Sequence, residues 1–483
     1  MRLVMGKRQA AMLAVLLCGA YVYGDAGGLS RKKIEEIQSS FAMDAHTRAM
    51  YNAISSTDVR NIALNREIVR SHDRLYTHKI DVKGVTNQKS SGRCWLFAGL
   101  NNIRHGVRKS NDLKSLEFSQ IYLTFWDKFE KSNTFLERVI AWRGRDLMDR
   151  ELTTALQMPC PDGGYWENVV DLVNKYGVVP KDVYPETSSS EATRSMNAIL
   201  EQLLRADAVK LRKMHEQGAT VRQMRREKEK MLAEVYRVLA MNLGEPPSEF
   251  LWRYEPGKGK DKDGDDKDDD KEDKKAKGNK QDIEELAMTP REFFGKCVGV
   301  DTGDWVNIFN DTTHEYGKRY TVAMSKNVWE GSDITYINVD IDTLKKIAVK
   351  SIVDDTPVMF ACNVSVDQSS ELGIMAPGLY DYESIYGIDM TMTKAERALF
   401  RQGTRNHGMV LVGVDVREDR PVKWLVENSW GAERGKGGYW DMYDEWFDLH
   451  VYNIIVRKEY VPKKVLKILE QEPIALPAWD PMQ

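Results

Sequence analysis

The chain has 483 residues, with 70 Lys and Arg against 73 Asp and Glu and a formal net charge of -3. That length requires at least two domains, or one domain with a large insertion. The even charge balance offers no basic stripe, so no nucleic-acid partner is expected; five cysteines are too few for a disulfide scaffold. Past residue 30 no apolar run reaches the roughly 18 residues of a transmembrane helix, so no spanning segment is expected in the mature chain.

Taken in chain order, Met1 to Gln9 carries Arg2, Lys7 and Arg8, Ala10 to Leu17 is continuously apolar, and Gly19, Ala20, Gly24 and Ala26 follow. A basic start, a short apolar core and a small-residue exit read as a secretory signal peptide over 1–26, which implies a periplasmic or secreted protein. Without that signal the chain would be cytoplasmic. Cys18 closes the apolar core, but Leu17 stands where lipoprotein processing wants a small residue, so lipidation is the lesser alternative. From Leu29 to about Arg70 apolar residues at Ile34, Ile37, Phe41, Met43 and Met50 predict helix, and Cys94 to Val107 predicts another. Glu191 to Leu243 is charged and rich in Leu, Met and Arg, which predicts two amphipathic helices around Gly218.

Between Gly257 and Asp282 stand nine Lys, ten acidic residues and no aromatic. Such a segment cannot bury enough surface to offset its ordering entropy, and a solvated loop is expected. Asp261, Asp263, Asp265 and Glu272 fall at several calcium-loop positions. Asp266 replaces the turn glycine and no helix enters, which argues against calcium. After residue 300, Tyr336–Val339, Val358–Val364, Met409–Val416, Trp424–Glu427 and Val451–Val456 read as short strands. A helix-rich first half and a strand-rich second half predict an α+β architecture with a cleft between them.

The strongest chemical signal is Gln88-Lys89-Ser90-Ser91-Gly92-Arg93-Cys94-Trp95-Leu96-Phe97-Ala98. It sets Cys94 at the first turn of a helix, where the dipole favours thiolate and is expected to lower the thiol pKa. Gln88 can donate from its amide to an oxyanion forming beside the sulfur. A thiolate nucleophile needs an imidazole and a group to orient it. His407 stands at the entry of an apolar strand in Asn406-His407-Gly408-Met409-Val410, and Asn428 ends the next strand in Glu427-Asn428-Ser429-Trp430-Gly431. If those strands pair as a hairpin, Asn428 accepts from the ring N–H and fixes the tautomer, with Trp430 covering the bond. The three together point to a Cys–His–Asn thiol hydrolase. No Cys-x-x-Cys or His-x-x-x-His occurs, so neither metal nor cofactor is expected.

These motifs resemble those of papain-like cysteine peptidases. Over almost all of the chain after residue 30 the resemblance narrows to the bleomycin hydrolase or aminopeptidase C family. It is carried by Asp162-Gly163-Gly164-Tyr165-Trp166, Lys175-Tyr176-Gly177-Val178-Val179-Pro180, Thr289-Pro290-Arg291-Glu292-Phe293-Phe294 and Leu476-Pro477-Ala478-Trp479-Asp480-Pro481-Met482, among others. The resemblance implies a papain-like fold with large helical insertions and a homohexamer. It also implies an aminopeptidase acting on peptide substrates, with its C-terminal arm in the cleft. By position Cys94 is the nucleophile, His407 the general acid/base, Asn428 its orienter and Gln88 the oxyanion donor. Trp430 and Gln483 are the substrate-binding candidates.

The implied division is 1–26 signal peptide, 29–130 catalytic half with the nucleophile, and 131–300 helical insertion with the charged loop 257–282. The β-rich catalytic half with His407 and Asn428 follows at 301–470, and the arm at 471–483. Similar chains run on past Asp-Pro-Met, whereas this one stops at Gln483, which leaves an open-cleft endopeptidase or oligopeptidase as the alternative. The signal and the charged loop are further departures from the family pattern, and Gly408 replaces a common alanine with little expected effect. An idle oligomeric binding protein is the reading from another class, and the intact Cys94, His407, Asn428 and Gln88 oppose it.

Overall fold

The computed structural model describes residues 27–255 and 283–482. Residues 1–26, where a signal peptide with Cys18 is expected, residues 257–282, where a charged loop is expected, and Gln483 lie outside the described residues.

Two compact units divide the chain: Met1–Leu64 with Tyr380–Asp389, and Asn65–Leu379 with Met390–Gln483. In the first, the expected helix breaks into Arg31–Ser40, Ala45–Ile54 and Val59–Ala63. Each begins at a side-chain cap: Ser30 accepts from Lys33 N, Asp44 from Thr47 N and Asp58 from Arg60 N. Every such cap offers the backbone a fresh start, which is why one helical stretch becomes several. The apolar residues that predicted this helix are not buried; Ile37 is 53% and Phe41 64% exposed.

The second unit holds the chemistry. Its helical side comprises Cys94–Ser110, Gln120–Ala141, Trp166–Tyr176, Arg194–Glu216 and Val221–Leu243. The last two flank Gly218, whose φ of 83° ends the run where the sequence predicts. Helix Gln120–Ala141 runs straight through position 130, where the sequence reading divides catalytic half from insertion. Eleven strands beyond residue 300 and the short strand His78–Lys79, which pairs with His407–Arg417, form a twelve-stranded sheet. At its centre lie Trp305–Phe309, Val451–Arg457, Val358–Cys362, His407–Arg417, Arg420–Glu427 and Tyr439–Tyr443, in that order. One core joins the helices to the near face of the sheet, with Leu96, Leu100 and Ile103 against Val410, Val412 and Ile455. A second core fills the other face around Trp424, Trp440 and Trp446.

The pairing places the site. Strands His407–Arg417 and Arg420–Glu427 are antiparallel, with Val410 opposite Glu427, so His407 and Asn428 meet at one end of the hairpin. The nucleophile helix is fixed over that end by a buried ion pair from Arg104 Nη2 to Glu427 Oε1, 2.6 Å. Asn101 Nδ2 donates to Thr86 Oγ1 at 2.9 Å, which ties the Gln88 loop to the same helix. The fold is thus the α+β, papain-like arrangement that the sequence predicts.

Gly177 ends helix Trp166–Tyr176 at φ 74° and ψ -161°, a conformation open essentially to glycine alone. A Cβ there would lie 2.2 Å from Pro290 O. Gly177→Ala is expected to cost about 3 kcal/mol in urea unfolding. Gly106→Ala, in the nucleophile helix with nothing within 4 Å of its Cβ, is expected to stabilise by about 1 kcal/mol.

Candidate active site

Cys94 opens its helix, and Arg93 at the cap makes no side-chain cap hydrogen bond, so the first amides stay available. The backbone N–H groups of Gly408, Trp95 and Cys94 favour the thiolate and draw the thiol pKa down. Burial acts first and in the opposite sense, and the thiol ends above its ordinary value. This corrects the expectation from the helix dipole: desolvation of the anion outweighs the field of one helix end. Of the four described cysteines, Cys94 alone lines the cavity at the site.

His407 is buried and its Nε2 lies 2.8 Å from Asn428 Oδ1. Oδ1 also accepts from Ser429 N at 2.8 Å, so it is the carbonyl oxygen that faces the ring. Nε2 therefore donates, and Nδ1 keeps its lone pair for another proton. Burial pushes the imidazole pKa down to about 4 against the pull of the Asn428 bond. Cys94 and His407 are thus both driven towards their neutral forms. Trp430 packs against His407 with ring centroids 4.8 Å apart and a tilt of 35°. A Cβ on Gly408 would sit 3.5 Å from Trp95 Cα, ordinary contact, so an alanine fits there.

Gln88 is held from three directions. Its backbone N donates to Ser429 O at 2.8 Å, its Oε1 accepts from Ser429 Oγ at 2.7 Å, and its Nε2 donates to Ser91 O at 2.6 Å. The amide nitrogen has a second hydrogen left to give. Ser429 escapes a reading that looks for chemistry, although it stands between Asn428 and Trp430.

Asp162 is the other residue missed. Its carboxylate accepts from Gly92 N at 3.0 Å, Thr193 Oγ1 at 2.6 Å and Asn197 Nδ2 at 2.7 Å, and pairs with buried Lys128 at 2.7 Å. Burial would raise its pKa, but Lys128, Thr193 and the Gly92 amide together hold it well below the usual range. Its carbonyl takes the Trp95 indole N–H at 2.8 Å. The turn before Cys94 is thereby pinned on both sides.

Gln88, Cys94, His407 and Trp430 share a cavity of about 730 Å³ with Gly163, Gly164 and Ala478. Ala478 belongs to the C-terminal arm, which follows strand Ile474–Leu476. Arg401 donates to Trp479 O at 3.0 Å and Asp480 O at 3.3 Å, and Arg405 to Met482 O at 3.2 Å. Asp480 also pairs with His314 at 3.4 Å, itself bound to buried Asp311 at 2.7 Å. The arm thus runs beside Arg405, two residues before His407. Gln483, the other substrate-binding candidate, lies outside the described residues.

Residues 28–483 match the Peptidase C1-like family. The chain is 37% identical to aminopeptidase C of Streptococcus thermophilus, with 94% of this chain and 98% of that protein covered. It is also 37% identical to bleomycin hydrolase of Homo sapiens, covering 95% and 98%. The solved structure of PepW from Lactobacillus rhamnosis HN001 superposes with a TM-score of 0.87 at 35% identity, covering 95% of this chain and 99% of that one. A cysteine at a helix start, an Asn-oriented histidine at a strand entry and this extent of likeness lead to one conclusion: the chain belongs to the Peptidase C1-like family.

Proposed function

We propose that the protein is a cysteine aminopeptidase in which Cys94, His407, Asn428 and Gln88 carry the chemistry. The observation that carries this reading is the 2.8 Å bond from His407 Nε2 to Asn428 Oδ1 in the cavity that Cys94 lines. It leaves Nδ1 as the only ring position able to take the thiol proton. Proton transfer from Cys94 Sγ to Nδ1 accompanies attack of sulfur on the scissile carbonyl. The oxyanion is met by the free hydrogen of Gln88 Nε2 and the uncapped amide of Cys94. His407 returns the proton to the leaving amine, then draws one from water as it hydrolyses the thioester. Because the buried groups disfavour separated charge, the proton moves with the attack rather than ahead of it.

Restriction to amino termini is supported by two observations. Relatives from Streptococcus thermophilus and Lactococcus lactis are named aminopeptidase C, and Ala478 of the arm lines the cavity while Arg405, another lining residue, binds Met482 O. Wild type is expected to cut a free-amino peptide and to leave its N-acetylated twin intact, while Cys94→Ala cuts neither. Cleavage of both peptides by wild type would establish the open-cleft endopeptidase instead. Equal activity in Cys94→Ala would end the thiol mechanism.

With a neutral amide substrate, kcat/KM is expected to fall on the acid side around pH 4, because His407 must be unprotonated and burial holds its pKa near that value. Asn428→Ala removes the contribution that raises this pKa. It should move the limb to still lower pH and reduce kcat by about 100-fold or more. An acid limb near 6.5 would contradict the buried imidazole.

Export through residues 1–26 and assembly into a homohexamer belong to the same proposal. The uncovered Ile37 and Phe41 support a subunit contact in the N-terminal unit. Light scattering of the secreted enzyme should return six copies of a chain starting after residue 26; a monomer, or an intact N-terminus, would refute the corresponding half.

A further inference from the structure

The charge of the cavity is one-sided. Among the described residues that line it, Lys131, Arg138, Lys326 and Arg405 are cationic and none is Asp or Glu. Three of these four are engaged. Lys131 Nζ gives hydrogen bonds to Asp127 Oδ2 at 2.7 Å, Gly163 O at 2.6 Å and Pro161 O at 3.0 Å. Lys326 Nζ donates to Trp329 O at 2.6 Å. Arg405 binds Met482 O and lies over the Phe309 ring at 4.7 Å.

Arg138 differs. Its guanidinium makes no hydrogen bond or ion pair with any described residue, and the opposite charges it feels are the more distant Asp333 and Glu151. Both are committed elsewhere. Asp333 accepts from Ser325 N at 2.8 Å and Lys326 N at 3.0 Å, and Glu151 pairs with Arg145. Burial pushes the pKa of Arg138 down, so the charge is held at a cost that a bound anion would relieve. A planar fork of five donors facing a cavity is matched by a carboxylate.

The position can be read along the helix. Lys131, Thr134 and Arg138 follow one face of Gln120–Ala141 and all three line the cavity. Lys131 Nζ lies 5.4 Å from the centre of the Trp95 ring, next to the nucleophile. Seven residues at 1.5 Å each carry Arg138 about 10 Å further along. An extended peptide advances about 3.3 Å per residue, so this is about three residues of substrate.

Resting on the reading of Cys94-dependent peptide hydrolysis, we infer that Arg138 is a specificity-determining residue that receives a substrate carboxylate about three residues from the scissile bond. That carboxylate belongs either to an Asp or Glu side chain or to the end of a short peptide.

The test compares wild type, Arg138→Gln and Arg138→Lys on tetra- and pentapeptides. Each carries a single Glu or its Gln counterpart at every position after the first, prepared as free acid and as amide. At one position wild type should prefer Glu over Gln by about tenfold in kcat/KM, chiefly through KM. That ratio should fall towards one in Arg138→Gln and be partly restored in Arg138→Lys. If the acid-to-amide ratio collapses instead, the carboxylate is that of the chain end, and Arg138 keeps its assigned role. Ratios that are the same in wild type and Arg138→Gln in every series overturn the inference, even if overall activity drops, because a merely structural loss falls on all peptides alike. Absence of any Cys94-dependent cleavage in wild type would overturn the proposed function itself.

Discussion

The carboxylate of Asp162 is the contact on which the geometry of this site rests. It is largely covered, and the buried Lys128 neutralises it from a helix that is itself inside the protein. Around that pair converge the turn leading to the nucleophile, through Gly92, and the start of helix Arg194–Glu216, through Thr193 and Asn197. Breaking one partner of such a pair leaves an uncompensated charge, which is far more costly than the pair is favourable. The contact therefore works as a constraint on position more than as a source of stability. Cys94 stands where it does because the backbone two residues earlier has few other places to go.

The second constraint is the hairpin that brings His407 to Asn428. Its register is fixed on one side by strand Val358–Cys362, where His407 faces Cys362, and on the other by Tyr439–Tyr443. A one-residue slip would turn either side chain to the opposite face. The Arg104–Glu427 pair then locks the nucleophile helix to this hairpin from below. Burial pushes the pKa of Glu427 up to about 7, the mark of a carboxyl deep in the protein beside its cation. Charge thus joins the nucleophile helix to the sheet at Arg104–Glu427, and holds the turn into that helix at Asp162–Lys128.

Much of this was legible before any coordinates. Cys94, Gln88, His407 and Asn428 sit in local patterns that state their backbone settings: a glycine turn into a helix, a strand entry, a strand exit. Gly218 announced its break by itself. What stayed hidden depends on distant partners. Asp162 looks like any loop acid until Lys128 is beside it, and helix Gln120–Ala141 buries Asp127, Lys128, Glu130 and Lys131, so its polar spacing conceals an interior element. The short strands Trp305–Phe309 and Arg319–Val322 owe their existence to neighbours such as Thr335–Asn338, not to their own length. The N-terminal apolar positions predicted helix correctly in kind, but the caps at Asp44 and Asp58 decided where new helices begin.

Strands Phe250–Tyr254 and Glu284–Met288 are antiparallel, with Tyr254 opposite Glu284. The two strand ends, Tyr254 and Glu284, therefore lie one strand spacing apart, about 5 Å. Closing such a gap costs free energy that grows only with the logarithm of the intervening length. This doorway accordingly separates two kinds of inheritance: the residues inside it can change in number and charge over generations, or be exchanged for a foreign module, while Phe250 and Trp252 go on packing against Phe293 as though nothing had been added.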